Sequence, residues 1–181
     1  MTEDTTAEYH NPAPIADGPD SPATADETDA DKKRQVMTRW ARWSISNHVH
    51  FTYSEGADRG HMVASEIGSL PQICDCSGFV TGLAKWAGAG DPNGLGYSPV
   101  GYTGTLLEHC NKINPSDARM GDLIVYGPGT GTHVVYILER LPKNDFYVAS
   151  QGGMTLDPSR QLHSTNLAYF DDVARFLRWL S

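Results

Sequence analysis

Cys76 stands at the start of a predicted helix, a position where a thiol becomes reactive. The apolar residues that follow are spaced as on one face of an amphipathic helix ending at Gly88. They are Phe79, Val80, Leu83, Trp86 and Ala87. Asp75 is the expected N-cap, and the unpaired backbone N–H groups of the first turn favour a thiolate over a thiol. We interpret Cys76 as a nucleophile whose own N–H helps to hold an oxyanion, with a buried structural cysteine as the alternative.

A nucleophilic thiol needs a base within hydrogen-bond reach and a third group that holds the base in one tautomer. His133 is the predicted base, because it begins a β-branched run directly after the glycine-rich turn at 127–131. Antiparallel pairing of this run with the run near 146–151 brings the end of the second strand to the beginning of the first. That pairing makes Gln151 and Ser150 the candidates for the third group. We choose Gln151, whose carbonyl can accept from the imidazole, and keep Ser150 as the alternative.

Helices are predicted around the nucleophile. An amphipathic helix over about 32–47 has apolar residues at helical spacing and buries two Trp side chains. Residues 48–73 are interpreted as a loop, with one short helix near 61–67. A further helix over about 103–112 is expected to bury Cys110 as a structural residue.

Strands are predicted on the C-terminal side. Short β-branched and aromatic runs at 123–126, 132–139 and 146–150 are separated by turn residues, which is typical of an antiparallel meander. The segment 169–179 is interpreted as a short helical turn followed by an edge strand from 174. The chain therefore predicts an α+β fold, with N-terminal helices packed on an antiparallel β-sheet.

The acidic residues are concentrated at the N-terminus. Residues 1–31 hold nine of the 22 acids and no Lys or Arg, which leaves 13 acids against 14 bases in residues 32–181. The first segment has almost no large apolar side chain and is predicted to be a disordered acidic tail, and 32–181 is predicted to form one domain. Because this domain is nearly neutral and has no basic stripe, nucleic acid is not an expected ligand.

Hydropathy and cysteine usage indicate where the chain is made. It has no apolar run of about 18 residues, so no stable membrane association is expected, and its start lacks the basic and apolar regions of a signal peptide. We expect synthesis in a cytoplasm. Three cysteines are too few for a disulfide framework, although Cys74 and Cys110 could pair after release to an oxidising space.

A metal site is the main chemical alternative. His48, His50, His61 and the pair Cys74 and Cys76 supply nitrogen and sulfur ligands. Their spacing matches neither a Cys-x₂-Cys pair nor a His-Glu-x₂-His helix. We therefore expect no metal and no organic cofactor.

Three motifs follow one another along the chain: Asp-Cys-Ser-Gly-Phe at 75–79, Met-Gly-Asp-Leu-Ile-Val-Tyr at 120–126, and His-Val-Val-Tyr at 133–136 after a glycine-rich turn. This order resembles the NlpC/P60 family of cell-wall cysteine peptidases, which is a papain-like superfamily, over roughly residues 35–178. Within that range, 85–97 and 101–107 are similar to the peptidase domains of actinobacteriophage endolysins (lysin A).

The resemblance implies a papain-like fold with a Cys, His and polar triad, carried here onto Cys76, His133 and Gln151. Many relatives have His at the third position, where this chain has Gln. The implied reaction is hydrolysis of an amide bond next to D-glutamate in the peptidoglycan stem peptide, either the L-Ala–D-Glu or the D-Glu–diamino acid bond. The implied contacts to the substrate are Asp75, Ser77 and Tyr53.

A phage endolysin is made in the host cytoplasm, acts at the cell wall and causes host lysis. The expected partners are then the stem peptide and a separate wall-binding or holin protein. Two other readings of the same fold stay open. One is an N-acetylmuramoyl-L-alanine amidase, and the other is a catalytically silent module for wall binding or virion assembly.

Overall fold

The computed structural model describes residues 27–152, 162–166 and 173–180. The helices are α1 (Asp29–Ser46), α2 (His61–Ala64), α3 (Cys76–Trp86) and α4 (Thr103–His109). The strands are β1 (Phe51–Tyr53), β2 (Gln72–Cys74), β3 (Asn111–Ile113), β4 (Leu123–Tyr126), β5 (His133–Arg140), β6 (Phe146–Gln151), β7 (Leu162–Asn166) and β8 (Ala174–Arg178). The predicted α+β fold, with helices leading and an antiparallel sheet following, is confirmed.

The first helix begins at Asp29, earlier than the predicted start at 32. Thr28 is its N-cap and accepts from the Asp31 backbone N–H, which satisfies one donor of the first turn. Residues 1–26 lie outside the described residues, so the disorder of the acidic tail stays a prediction. The segment 169–172, where a helical turn was expected, also lies outside them. No helix of the described part has the length and apolar character needed to cross a membrane.

The main sheet has the strand order β3-β8-β4-β5-β6-β7 in the described residues, and each neighbouring pair is antiparallel. The last strand, β8, lies between β3 and β4, so the prediction of an edge strand is wrong. It is paired on both sides because β3, which the sequence did not predict, adds a strand beyond it. Strands β1 and β2 form a separate parallel pair.

Helix α3 is the central buried element, with α1 and α2 on one side and β5 on the other. Glycines allow the close approach of its neighbours. A Cβ at Gly82 would lie 2.6 Å from the Met62 side chain, and one at Gly78 would lie 2.3 Å from the Arg59 carbonyl oxygen. The start of α3 is therefore tightly enclosed.

The two Trp side chains of α1 that were predicted to be buried are partly buried and pack against the core. The indoles of Trp40 and Trp43 meet that of Trp86 edge to face, with ring centroids 5.2 and 6.1 Å apart. These contacts fix α1 against α3, and the cluster belongs to the core.

A buried carboxylate fixes the start of β4. Asp122 is fully buried and accepts from Arg178 Nη2 at 2.6 Å, from Arg178 Nε at 2.9 Å and from the Arg119 backbone N–H at 2.9 Å. Because Arg178 lies on β8, this ion pair ties the last strand to the beginning of the meander.

Candidate active site

Cys76 is the first residue of α3, and Asp75 caps the helix as predicted. The cap carboxylate accepts from the Gly78 backbone N–H at 2.5 Å. The backbone N–H groups of Val134, Ser77 and Cys76 itself lie close enough to the Cys76 sulfur to lower its pKa. Since Val134 follows His133 on β5, the sulfur lies against the beginning of the strand that carries the predicted base.

Burial dominates the acidity of this thiol. The net pKa of Cys76 is raised to about 11, because burial and the nearby Asp75 carboxylate, which raise it, outweigh the three backbone N–H groups, which lower it. The prediction of a resting thiolate is therefore wrong, because the desolvation of the buried sulfur outweighs the helix N-terminus. The resting group is a thiol, and its use as a nucleophile requires a base.

His133 is buried at the start of β5 and is held by a serine. Its Nε2 lies 2.8 Å from Ser150 Oγ, and the Ser150 hydroxyl in turn donates to the Gly152 carbonyl at 3.3 Å. Because the serine hydroxyl donates to Gly152, we assign the proton of the neutral imidazole to Nε2, which leaves Nδ1 as the basic nitrogen. The ring also stacks on Tyr126, with centroids 6.5 Å apart and an interplanar angle of 17°.

Gln151 does not make the contact that the sequence predicted. Its Oε1 is buried and accepts no hydrogen bond from the described residues, while its Nε2 donates to the Cys74 carbonyl at 3.4 Å. The reason is register. Tyr136 pairs with Ala149, which puts Ser150 on the same face of the sheet as His133 and Gln151 on the opposite face. The alternative residue, Ser150, therefore occupies the position beside the imidazole.

The turn that precedes β5 is held from two sides. Arg175 on β8 donates to the Gly127 carbonyl and, at 2.6 Å, to the Gly129 carbonyl. Thr103 Oγ1 donates to the Gly131 carbonyl at 3.2 Å. Gly131 has φ +84°, and a Cβ there would lie 2.5 Å from the Val125 side chain, so glycine is required. These contacts fix the position from which His133 enters the sheet.

Asp75 and Ser77, predicted to contact the substrate, are engaged within the protein. The Ser77 hydroxyl donates to Asp75 Oδ1 at 2.8 Å, and Arg59 Nη1 donates to Asp75 Oδ2 at 2.6 Å. Both side chains are buried. Their contact with a substrate stays a prediction, and what the structure describes is a support for the start of α3.

Tyr53, the third predicted substrate contact, lies close to the nucleophile. Its pKa is raised mainly by burial, then by the hydrogen bond to Glu55, and also by the charges of Cys76 and Asp75. The phenol donates to Glu55 Oε1 at 2.7 Å, and its ring lies against Gly152, where a Cβ would be 2.2 Å from Tyr53 Cε2. The structure therefore brings Tyr53, Cys76 and the end of β6 together.

The remaining cysteines and histidines form no metal centre in the described part of the chain. No group of three or more His, Cys, Asp or Glu side chains there is arranged to hold a metal ion. Cys74, Cys76 and Cys110 are all free thiols, and the predicted structural Cys110 is buried and donates to the Pro92 carbonyl at 3.2 Å. His61 Nδ1 lies 3.1 Å from Gln72 Oε1.

Arg59 is the residue at this site that the sequence did not indicate. It comes from the segment before α2, and its guanidinium bonds Asp75, Ser77 and the carbonyls of Val100 and Gly101. Its partners are 16, 18, 41 and 42 residues away along the chain, so neither periodicity nor a local motif marks it.

Cys76 begins α3, and this helix packs against β5, the strand that His133 begins, within an α+β fold. No family model matches the chain. Over 117 residues it is 29% identical to peptidoglycan endopeptidase RipB of Mycobacterium tuberculosis, which covers 65% of this chain and 45% of RipB. The chain thus spans less than half the length of this curated relative.

Solved structures give the fold. The structure of the resuscitation promoting factor interacting protein RipA aligns with a TM-score of 0.50 and 20% identity, over 87% of this chain and 69% of RipA. The NlpC/P60 domain of the peptidoglycan hydrolase SagA aligns with a TM-score of 0.49 and 19% identity, over 81% of this chain and 98% of that domain. The likeness to RipA, at 20% identity, shows that the chain shares the fold of the matched part of that protein.

Proposed function

We propose that the chain is a peptidoglycan endopeptidase that uses Cys76 as its nucleophile. The observation that carries this proposal is the position of Cys76, which begins α3, the helix that packs against β5, and β5 in turn begins with His133. The name of RipB as a peptidoglycan endopeptidase supports the choice of substrate.

In the proposed reaction, His133 Nδ1 takes the thiol proton while the sulfur attacks the carbonyl carbon of the scissile amide. The oxyanion forms at the start of α3, where the Cys76 backbone N–H is a donor. The imidazolium then protonates the leaving amine, and a thioester remains on Cys76. A water molecule, deprotonated by the same imidazole, hydrolyses the thioester and restores the thiol.

Ser150 takes the role of the orienting group in this scheme, in place of Gln151. By accepting from Nε2, the serine hydroxyl keeps Nδ1 as the basic nitrogen. A neutral hydroxyl orients the ring without adding the charge that a carboxylate would supply. The imidazolium is consequently less stabilised than in a triad that contains Asp or Glu.

The bond proposed to be cut lies next to D-glutamate in the stem peptide, either L-Ala–D-Glu or D-Glu–diamino acid. The endolysin-like segments at 85–97 and 101–107 support a role in lysis by a phage, with a separate wall-binding or holin protein as partner. Cleavage as an N-acetylmuramoyl-L-alanine amidase and a silent wall-binding or assembly module are the competing functions.

Digestion of purified peptidoglycan, followed by mass spectrometry of the products, tests the proposal. The wild type is expected to release fragments with a new amine next to the D-Glu position, and Cys76→Ala is expected to release none. Cys110→Ala is the matched control, since this buried thiol follows α4 and donates to the Pro92 carbonyl. Equal digestion by the wild type and Cys76→Ala would refute the proposal. Products cleaved at the bond between muramic acid and L-Ala would identify an amidase. Binding to peptidoglycan without release of any fragment would identify a silent module.

A further inference from the structure

The guanidinium of Arg59 joins the cap of α3 to a neighbouring loop. Nη1 donates to Asp75 Oδ2 at 2.6 Å and to Ser77 Oγ at 3.2 Å. Nη2 donates to the carbonyls of Val100 and Gly101 at 2.8 and 2.9 Å. About a quarter of the side chain is exposed, so the ion pair is shielded from water on most sides. Four partners on two segments define one position for this cation.

The neighbours of the Cys76 sulfur make the charge of this cation important. The groups that interact electrostatically with Cys76 are Tyr53 from β1, Cys74 from β2, Asp75 from the helix cap, and the Val134 N–H of β5, which follows His133. Of these, the Asp75 carboxylate raises the pKa of Cys76, because its negative charge opposes the formation of an anion on the sulfur. Arg59 is bonded directly to this carboxylate and offsets its charge.

We propose that Arg59 is a positioning residue for the nucleophile, which fixes the Asp75 cap and offsets the negative charge beside Cys76. This role rests on the proposed function, but it concerns how readily the resting thiol ionises and can be measured without turnover. Loss of the cation leaves Asp75 bonded to Gly78 and Ser77 alone, so its charge acts on the sulfur with less compensation.

The expected effect is a slower reaction of Cys76 with iodoacetamide. In Arg59→Gln, ionisation of the thiol is expected to shift upward by about 0.5 to 1 pH unit, as for loss of one opposite charge near a partly buried group. Because only the thiolate reacts, alkylation at about pH 8 slows by about three- to tenfold. Mass spectrometry of the Cys76 peptide distinguishes this thiol from Cys74 and Cys110, which are also free.

Three variants of the full chain separate charge from structure. Arg59→Lys keeps the cation and loses the planar fork, so its alkylation profile is expected to stay close to that of the wild type. The double variant Arg59→Gln with Asp75→Asn removes both charges and keeps a capping side chain, so its profile is expected to return toward the wild type. Arg178→Gln breaks the ion pair with Asp122, between β8 and the start of β4, and is expected to lower the Tm without moving the profile.

The alkylation profiles of these variants either support or overturn the proposed role of Arg59. An upward shift in Arg59→Gln that is absent in Arg59→Lys and reversed in the double variant supports the role. An unchanged profile in Arg59→Gln would overturn it, as would an equal shift in Arg59→Lys or Arg178→Gln. If the wild type released no product from peptidoglycan, the proposed function would fail, while alkylation would still decide the role of Arg59.

Discussion

Replacing Ser150 with Ala tests how the imidazole of the proposed base is held. The serine hydroxyl lies 2.8 Å from His133 Nε2, and both side chains are buried. Loss of a neutral hydrogen bond costs about 2 kcal/mol when the remaining partner is buried. If this cost is fully expressed in the transition state, kcat/KM falls about 30-fold, since about 1.4 kcal/mol corresponds to a factor of ten.

The assay is the rate of amine release from a purified muropeptide, measured with the wild type, Ser150→Ala and Gln151→Met. The Met variant keeps the volume of Gln151 and removes its amide group. The oxygen of this amide accepts no hydrogen bond in the described structure, and its nitrogen donates to the Cys74 carbonyl over a long distance of 3.4 Å. Its kcat/KM is expected to fall by about threefold or less. A larger loss in Gln151→Met than in Ser150→Ala, with both variants folded, would refute the assignment of Ser150 as the orienting group.

Two further predictions concern stability. Asp122→Ala is expected to lower the free energy of unfolding by about 3 kcal/mol or more, because it leaves Arg178 without its buried carboxylate. The control is Asp29→Ala, which removes an exposed ion pair with Lys33. It is expected to change the free energy of unfolding by less than about 1 kcal/mol. Denaturant melts of the three proteins check this, and equal losses in both variants would contradict it. Burial raises the pKa of Cys110 to about 12, above its ordinary value near 9. The folded state therefore keeps the thiol proton at pH values where the unfolded state loses it. The free energy of unfolding is expected to fall as the pH rises from about 9 towards 12. In that pH window the free energy of unfolding of Cys110→Ala is expected to fall by about 1.4 kcal/mol less per pH unit than that of the wild type. Urea melts at several pH values measure this dependence. The same pH dependence in both proteins would show that Cys110 ionises equally in the folded and unfolded states.

The elements that the sequence predicted well are those with a long apolar pattern. The helix after Asp75 was expected to end at Gly88 and ends at Trp86, and the strand at 123–126 has the predicted bounds. Both are almost wholly buried, so the spacing of their apolar residues reflects their surroundings directly. The helix predicted over 103–112 ends at His109, because Asn111–Ile113 pairs with β8 instead.

The short strands could not be read from the sequence. Strands β1, β2 and β3 have three residues each, which is too few to establish an alternation of apolar and polar side chains. Their existence depends on partners far along the chain, as when Tyr53 pairs with Cys74. The wrong prediction of β8 as an edge strand has the same cause. Its neighbour β3 was not predicted, so β8 was expected to have a partner strand on one side only.

The places of the two main candidate residues were predictable from local signals. Cys76 was expected at a helix start and His133 at the start of a strand after a turn, and the structure has them there. Their catalytic roles stay a prediction. The choice between Ser150 and Gln151 depended on the register of a hairpin, and a shift of one residue changes the face of the sheet. Arg59 had no local signal at all, since its position is set by the contacts of the folded chain.

Burial and backbone dipoles act in opposite directions on Cys76, and their balance bears on the proposed mechanism. A sequence shows the helix start, which favours a thiolate, but it does not show the packing of β5 against the sulfur, which favours a thiol. A thiol that is neutral at rest cannot act as a stored anion, so the proton must leave during the attack and the base must be correctly protonated beforehand. The tautomer of His133 then matters in every turnover, and Ser150 is the side chain bonded to Nε2 that selects it. It follows that activity should depend more strongly on the hydroxyl of residue 150 than resting alkylation does, because iodoacetamide needs only a thiolate, whereas the amide also needs a proton donor for its leaving group.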